Sequence, residues 1–268
     1  MDKTTVGSYE GYEDFLVEKH DNGVVVGTMN RPETLNALGG GLRPSIVRFI
    51  REVRDDPEAR VLVLTGAGRG FCSGADLSPG GSGEQWPAGR QDPRFAWTAE
   101  LIGLNKPTIA AVNGAAAGGG FGISLLCDIR IASDRARFIP IWLKRAILPD
   151  DLVHWTLSRL VGYSRALKYL YLADDIPLEE AERIGLVEKV VPHEEFWDYT
   201  MAFAGRLAKL PPIHAGVMKQ TLMKSLFLDP WGTAMLDQAS GSFVSGLKDG
   251  EEGRMAFRER REPIFKGE

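Results

Sequence analysis

The chain has 268 residues, 44% hydrophobic and 25% charged, with a net charge of −4. That length buries a sizeable core as one large domain, or a domain with an appendage, and the acidic balance offers nothing to nucleic acid or an anionic membrane. Two cysteines, Cys72 and Cys127, are too few for a disulfide framework, and no apolar run approaches a membrane span, so a soluble cytoplasmic protein is expected.

The first residues, MDKTTVGSYEGYED, are polar and acidic, unlike a signal or transit peptide. FLVEKH (15–20), Asp21-Asn22-Gly23 and VVVGTM (24–29) predict a hairpin, because Asn-Gly accepts the positive φ of a tight turn. RPETLNALGGG (31–41) reads as a loop. Apolar residues at helical spacing (Ile46, Val47, Phe49, Ile50, Val53) predict a helix over 42–53. VLVLTG (61–66) is a buried strand, and the Gly-, Ser- and Pro-rich stretch 78–93 a surface loop. A helix over 94–104 leads to a second buried strand, TIAAVNG (108–114); a helix over 118–127 leads to a third, DIRIAS (128–133). This rhythm predicts an α/β core. Helices follow over 151–161, 164–173 and 178–184, then a strand over 186–191, and everything from His193 reads as helix. The expected division is 1–192 as core and 193–268 as a C-terminal helical region. No repeat of fixed period is visible.

Several familiar sites fail on spacing. TGAGRGF (65–71) has Phe71 where the third glycine of a dinucleotide fingerprint belongs, and no Gly-Lys pair exists for a phosphate loop. HEEFW (193–197) has Trp197 where a zinc protease needs its second histidine, and the four histidines are scattered, so no metal is expected.

Two segments remain, each directly after a buried strand: RGFCSGADL (69–77) and NGAAAGGGFGIS (113–124). The second places glycines at the start of a helix, where N–H groups lack internal partners and carry the positive end of the helix dipole. Glycine admits a ligand to the main chain. A carbonyl oxygen held by two such N–H groups is stabilised as it becomes an oxyanion, by roughly 3–4 kcal/mol per donor. The alternative is close packing of helix on sheet, which also favours Gly and Ala.

RPETLNAL, RGFCSGADL, NGAAAGGGFGISLLCDIRIAS and the terminal RREPIFKG, in this order across nearly the whole chain, resemble the crotonase (enoyl-CoA hydratase/isomerase) superfamily. The resemblance implies a repeated ββα spiral core with a C-terminal helical trimerisation region. It implies an acyl-CoA thioester as substrate, coenzyme A entering only as part of it and no further cofactor. The thioester oxygen is expected between the N–H groups of Ala75 and Gly119. Ala37, Ser73, Asp76 and Leu77 fall along the CoA path, and Lys266 where a neighbouring subunit contributes to the nucleotide pocket. A homotrimer or dimer of trimers is expected, with Phe196, Trp197, Phe203, Leu207 and Leu210 supplying apolar surface.

The hydratase branch holds water with two glutamates, and here those positions are Gly122 and Trp142. Water addition by paired carboxylates is therefore disfavoured. Asp150 stands where several isomerase-type members carry an aspartate. An apolar lining such as Ile147 and Leu148 is expected to raise its pKa, making it the acid/base of a 1,3-proton shift. Asp151 is then the expected N-cap of the next helix. Trp142 with Asp150 also resembles the pair in 4-chlorobenzoyl-CoA dehalogenases, but that group's histidine aligns with Phe95 and its ring-contacting aromatic with Ala75. A non-catalytic acyl-CoA binder is the third alternative. Phe95, Trp97 and Trp86 stand open between pocket wall and packing.

Overall fold

The computed structural model describes residues 9–78 and 96–268. Strands β1 (Phe15–Lys19) and β2 (Val24–Met29) pair antiparallel as the expected hairpin, and α1 spans Leu42–Asp55. From β3 onward the chain repeats one move. β3 (Val61–Gly66) and β4 (Gly70–Cys72) precede α2 (Ala96–Gly103); β5 (Thr108–Val112) and β6 (Ala115–Ala117) precede α3 (Gly119–Leu126); β7 (Ile129–Ser133) and β8 (Arg137–Ile139) precede α4 (Val153–Val161). Each turn adds one strand to a six-stranded sheet ordered β1-β2-β3-β5-β7-β9 and one to a three-stranded sheet ordered β4-β6-β8. The remaining elements are α5 (Tyr163–Leu172), α6 (Leu178–Arg183), β9 (Lys189–Val191), α7 (His193–Ala208), α8 (Pro212–Ser225), α9 (Pro230–Ser245) and α10 (Lys248–Glu259). The fold is thus α/β, a ββα spiral followed by a helical C-terminal region; residues 260–268 follow α10 without helix.

The large sheet is parallel from β2 to β9 and buried on both faces, which is why its strands read as unbroken apolar runs. Leu62, Leu64, Ala110 and Val112 turn towards α1, α2 and α3, while Val61, Val63, Ile109 and Ala111 turn towards Phe196, Ala204 and Ala208 of α7. Phe196 is therefore core. Of the other residues expected to supply apolar surface, Phe203 and Leu207 are half-buried while Trp197 and Leu210 stay exposed, and more exposed apolar side chains follow: Met218, Leu222 and Phe227 in and after α8, then Trp231, Met235 and Phe243 on α9.

The small sheet is held to the large one by two buried asparagines. Asn113 Nδ2 donates to the carbonyls of Gly66 (2.8 Å) and Gly68 (3.0 Å). Asn36 Nδ2 donates to those of Ala67 (3.0 Å), Gly70 (2.8 Å) and Phe71 (3.2 Å), while its Oδ1 accepts from the Arg31 N–H (2.8 Å). Asn36 sits at φ 58°, a left-handed conformation that Asn tolerates better than most residues. These contacts fix the 31–41 loop against the turn from β3 to β4. Asn36→Ala strands buried carbonyls, each costing about 1–3 kcal/mol when unsatisfied; urea unfolding should show a loss of that order, whereas exposed Arg69→Ala should lie within about 0.5 kcal/mol of the parent.

Candidate active site

The two glycine-containing segments meet at the small sheet. Leu38 bridges Ala75, its N–H donating to the Gly74 carbonyl (2.7 Å), so the 31–41 loop lies alongside the 73–77 segment. Gly74 has φ 88° and packs against the start of α3, where a Cβ built on it would meet the Ala117 carbonyl at 2.7 Å and the Gly119 nitrogen at 3.1 Å. Any other residue there would push the segments apart. Gly118 caps α3 and Gly119 opens it, so the Gly119 N–H is among those without an intrahelical acceptor. Ala75 is exposed beside it.

The glycines of α3 serve close packing, one of the two roles that the sequence left open. A Cβ on Gly120 would lie 2.0 Å from the Cys72 carbonyl, so this glycine permits close packing of α3 on β4. Gly122 instead makes room for a carboxylate, and Gly119 for the Leu38 side chain. A Cβ on Gly122 would meet Asp151 Cβ at 2.9 Å and Oδ2 at 3.1 Å, and one on Gly119 would stand 3.9 Å from that same Oδ2.

Asp151 is only 4% exposed. Its Oδ1 accepts from Trp97 Nε1 (2.8 Å) and Thr98 Oγ1 (2.9 Å), both in the first turn of α2. Burial pushes its pKa up to about 7, the neighbouring Asp150 charge adds to the rise, and the Thr98 and Trp97 hydrogen bonds and Arg43 oppose it. The backbone is held unusually as well: Asp151 (φ 49°) and Leu152 (φ 57°) are consecutive left-handed residues, a conformation that costs of order 1–3 kcal/mol each and is concentrated at functional sites.

A family model described as enoyl-CoA hydratase/isomerase matches residues 19–268. The chain belongs to the enoyl-CoA hydratase/isomerase family. It is 34% identical over 260 residues to a 1,2-epoxyphenylacetyl-CoA isomerase of Escherichia coli K12, covering 95% of this chain and 99% of that protein. It is 32% identical over 252 residues to a 2,3-dehydroadipyl-CoA hydratase of the same organism, covering 94% and 98%. Among solved structures, an enoyl-CoA hydratase from Bacillus anthracis superposes with a TM-score of 0.86 at 31% identity, covering 96% of this chain and all of that one. Crotonase superfamily membership and the spiral fold are thereby established, and relatives in the family carry both isomerase and hydratase names.

Asp150 is exposed, and so are Ile147 (51%) and Leu148 (74%), which therefore do not enclose it. The neighbour, Asp151, is the buried carboxylate. Asp151 does not cap α4; the cap position is Leu152, with no side-chain cap bond. Trp142 is buried and packs against Phe121, ring centroids 6.2 Å apart; the indole that reaches a carboxylate is Trp97. Ala37 is buried, and its carbonyl accepts from Arg31 Nη1 (2.8 Å). Ser73 Oγ donates to the Thr34 carbonyl (3.0 Å). Asp76 turns inward to Arg31 (2.9 Å) and Ser78, whose hydrogen bonds hold its pKa down at about 2, while Leu77 is exposed. Phe95 and Trp86 lie outside the described residues.

Lys266 is exposed at the far end of the molecule, on an open groove of about 1590 Å³ shared with Gly23, Arg60 and Lys209. Its backbone N–H donates to Asp249 (2.7 Å) and Arg60 donates to the Phe265 carbonyl (2.9 Å), which fixes the tail near the N-terminal ends of β2 and β3. Those ends lie opposite the small sheet, so a single chain does not bring Lys266 to its own glycine-rich site.

Gly122→Ala should fold but lose most turnover, because its Cβ displaces the root of the Asp151 side chain. Gly120→Ala meets rigid backbone at Cys72 and should lose stability instead, by about 1–3 kcal/mol, the usual cost of overpacking. Melting temperature and kcat on the two variants separate these outcomes.

Proposed function

We propose that this family member catalyses a 1,3-proton shift along the acyl chain of an enoyl-CoA thioester, with Asp151 as the single acid/base. The observation that carries the reading is one buried carboxylate, its pKa raised to about 7, with Oδ2 facing the two glycines that open the first turns of α3. The thioester oxygen accepts from the N–H groups of Ala75 and Gly119, which lowers the energy of the enolate. Asp151 removes a proton from one carbon of the allylic system, the electrons delocalise onto the thioester oxygen, and the protonated carboxyl returns the proton two carbons away. The substrate is an isomer of the product, so neither water nor an added cofactor is consumed. Coenzyme A enters only as the substrate's handle.

The placement of Asp151 also bears on hydration. The family's hydratase branch carries a glutamate where Gly122 stands, and here any side chain at 122 runs into Asp151. One carboxylate has taken the space of another, and the second hydratase position, Trp142, is an aromatic in contact with Phe121.

The exposed apolar residues Met218, Leu222, Phe227, Trp231, Met235 and Phe243 support assembly through α8 and α9. A homotrimer or dimer of trimers would cover them, and could carry Lys266 of one copy towards the site of another.

Asp151→Asn tests the catalytic assignment. Asn keeps the acceptor that Trp97 and Thr98 address, so the variant should fold, yet isomerisation of trans-3-hexenoyl-CoA should fall by about two to four orders of magnitude. Asp150→Asn should leave kcat within a factor of about three, a change of under 1 kcal/mol in the barrier. In the parent enzyme kcat/KM should rise with pH through about 7, as the base ionises. Stability should move the other way. A carboxyl with a raised pKa keeps its proton in the folded state where the unfolded chain has lost it, so stability declines as pH rises from about 4 to about 7. The Asn variant should lack that decline. An Asp151→Asn enzyme with parental kcat would end the assignment.

A further inference from the structure

The carboxylate of Asp151 has two oxygens in different surroundings. Both side-chain donors, Trp97 Nε1 at 2.8 Å and Thr98 Oγ1 at 2.9 Å, address Oδ1. Oδ2 faces the α3 glycines, 3.1 Å from the position of a Cβ on Gly122 and 3.9 Å from one on Gly119. The donors are adjacent residues of one helix. Trp97 is 1% exposed and is held in turn: the Arg43 guanidinium lies 5.5 Å from its ring centroid, and Arg43 Nε donates to the Leu38 carbonyl (2.6 Å) beside Ala75.

We infer that Trp97 and Thr98 are positioning residues for the proton transfer, clamping Oδ1 so that Oδ2 alone is presented to the acyl chain beside Gly119 and Gly122. The inference rests on the assignment of Asp151 as the base. A carboxylate hinged at two side-chain torsions would otherwise exchange its oxygens, and each exchange would move the proton-carrying atom relative to the thioester. With Oδ1 occupied by two donors, the oxygen that takes the proton is the oxygen that returns it, which is what delivery to a second carbon on the same face requires. The clamp has a second effect: both donors favour the ionised form and offset part of the rise caused by burial. Among the described residues, the other charged or titratable groups acting on Asp151 are Asp150 beside it in the chain, Arg43 on α1, and the Cys72 thiol of β4, whose own pKa burial pushes up to about 12.

The test is Thr98→Val, which keeps the shape of the side chain and removes its donor, with Thr98→Ser as the variant that restores the donor and Trp97→Phe as an independent removal of the other one. Asp151 is titrated directly by its infrared carboxyl band, identified by subtracting the Asp151→Asn spectrum, with no substrate present. The pH profile of kcat/KM is then measured on trans-3-hexenoyl-CoA. Thr98→Val and Trp97→Phe should each raise the Asp151 pKa by about one unit, the size expected for losing a hydrogen bond to a charged group. Each should lower kcat at high pH about tenfold with KM within twofold, and Thr98→Ser should restore both values. An unmoved pKa in a folded Thr98→Val protein, or a Ser variant that behaves like the Val variant, overturns the clamp. These results are distinguishable from failure of the base assignment, which shows instead as an active Asp151→Asn enzyme whatever the infrared titration gives. Should Trp97→Phe fail to fold, the Val and Ser pair at the half-buried position 98 decides alone.

Discussion

The site depends on a carboxylate buried against the first turns of a helix. Removing Asp151 from water disfavours its charge, and the fold meets that cost only in part, with two hydrogen bonds to one oxygen. The result is a carboxyl group whose pKa is raised to about 7, which on the proposed reading suits both removal and return of a proton near neutrality. Everything around it accommodates this choice. Gly122 has no side chain because Asp151 occupies the space, Gly119 leaves the helix N-terminus open, and Asp151 and Leu152 adopt left-handed backbone so that the carboxyl turns inward.

The scaffold supplies the rigidity that such a site needs. The same ββα move, made three times, sets a short strand of the small sheet after each long strand of the large one. β4 and β6 end where the two backbone segments meet, so Ala75 and Gly119 are positioned by sheet hydrogen bonds and by close backbone packing at Gly74 and Gly120. Asn36 and Asn113 complete the connection by donating to the Ala67 and Gly68 carbonyls in the turn between β3 and β4. Preorganisation of this kind is what allows backbone N–H groups to act as catalytic donors.

The large sheet, the hairpin and α1 were legible because their apolar periodicity is long and strong. β4, β6 and β8 were not, since strands of three residues such as GFC and AAA carry no period to detect. For the same reason the threefold structural repeat leaves no repeat in the sequence. The glycine-containing segments were readable as a pair, and the structure packs them together at Gly74 and Gly119. The buried aspartate is Asp151 rather than the Asp150 that the sequence singled out, because which of two adjacent aspartates turns inward is decided by left-handed backbone that nothing local announces. A signal was present at Trp97-Thr98, two donors opening a helix, but their partner lies 54 residues away for Trp97 and 53 for Thr98. The side chains of Asp76 and Ser73 bond to the 31–41 loop, a pairing that the motif alone does not announce.

A crystal structure of the Asp151→Asn protein soaked with trans-3-hexenoyl-CoA tests the arrangement most directly. The thioester oxygen should lie about 2.7–3.1 Å from the nitrogens of both Ala75 and Gly119, with the allylic carbons against the Oδ2-equivalent atom of residue 151, about 3–3.5 Å away as a reactive pose requires. A thioester bound elsewhere, or an acyl chain that passes residue 151 without reaching it, would contradict the account.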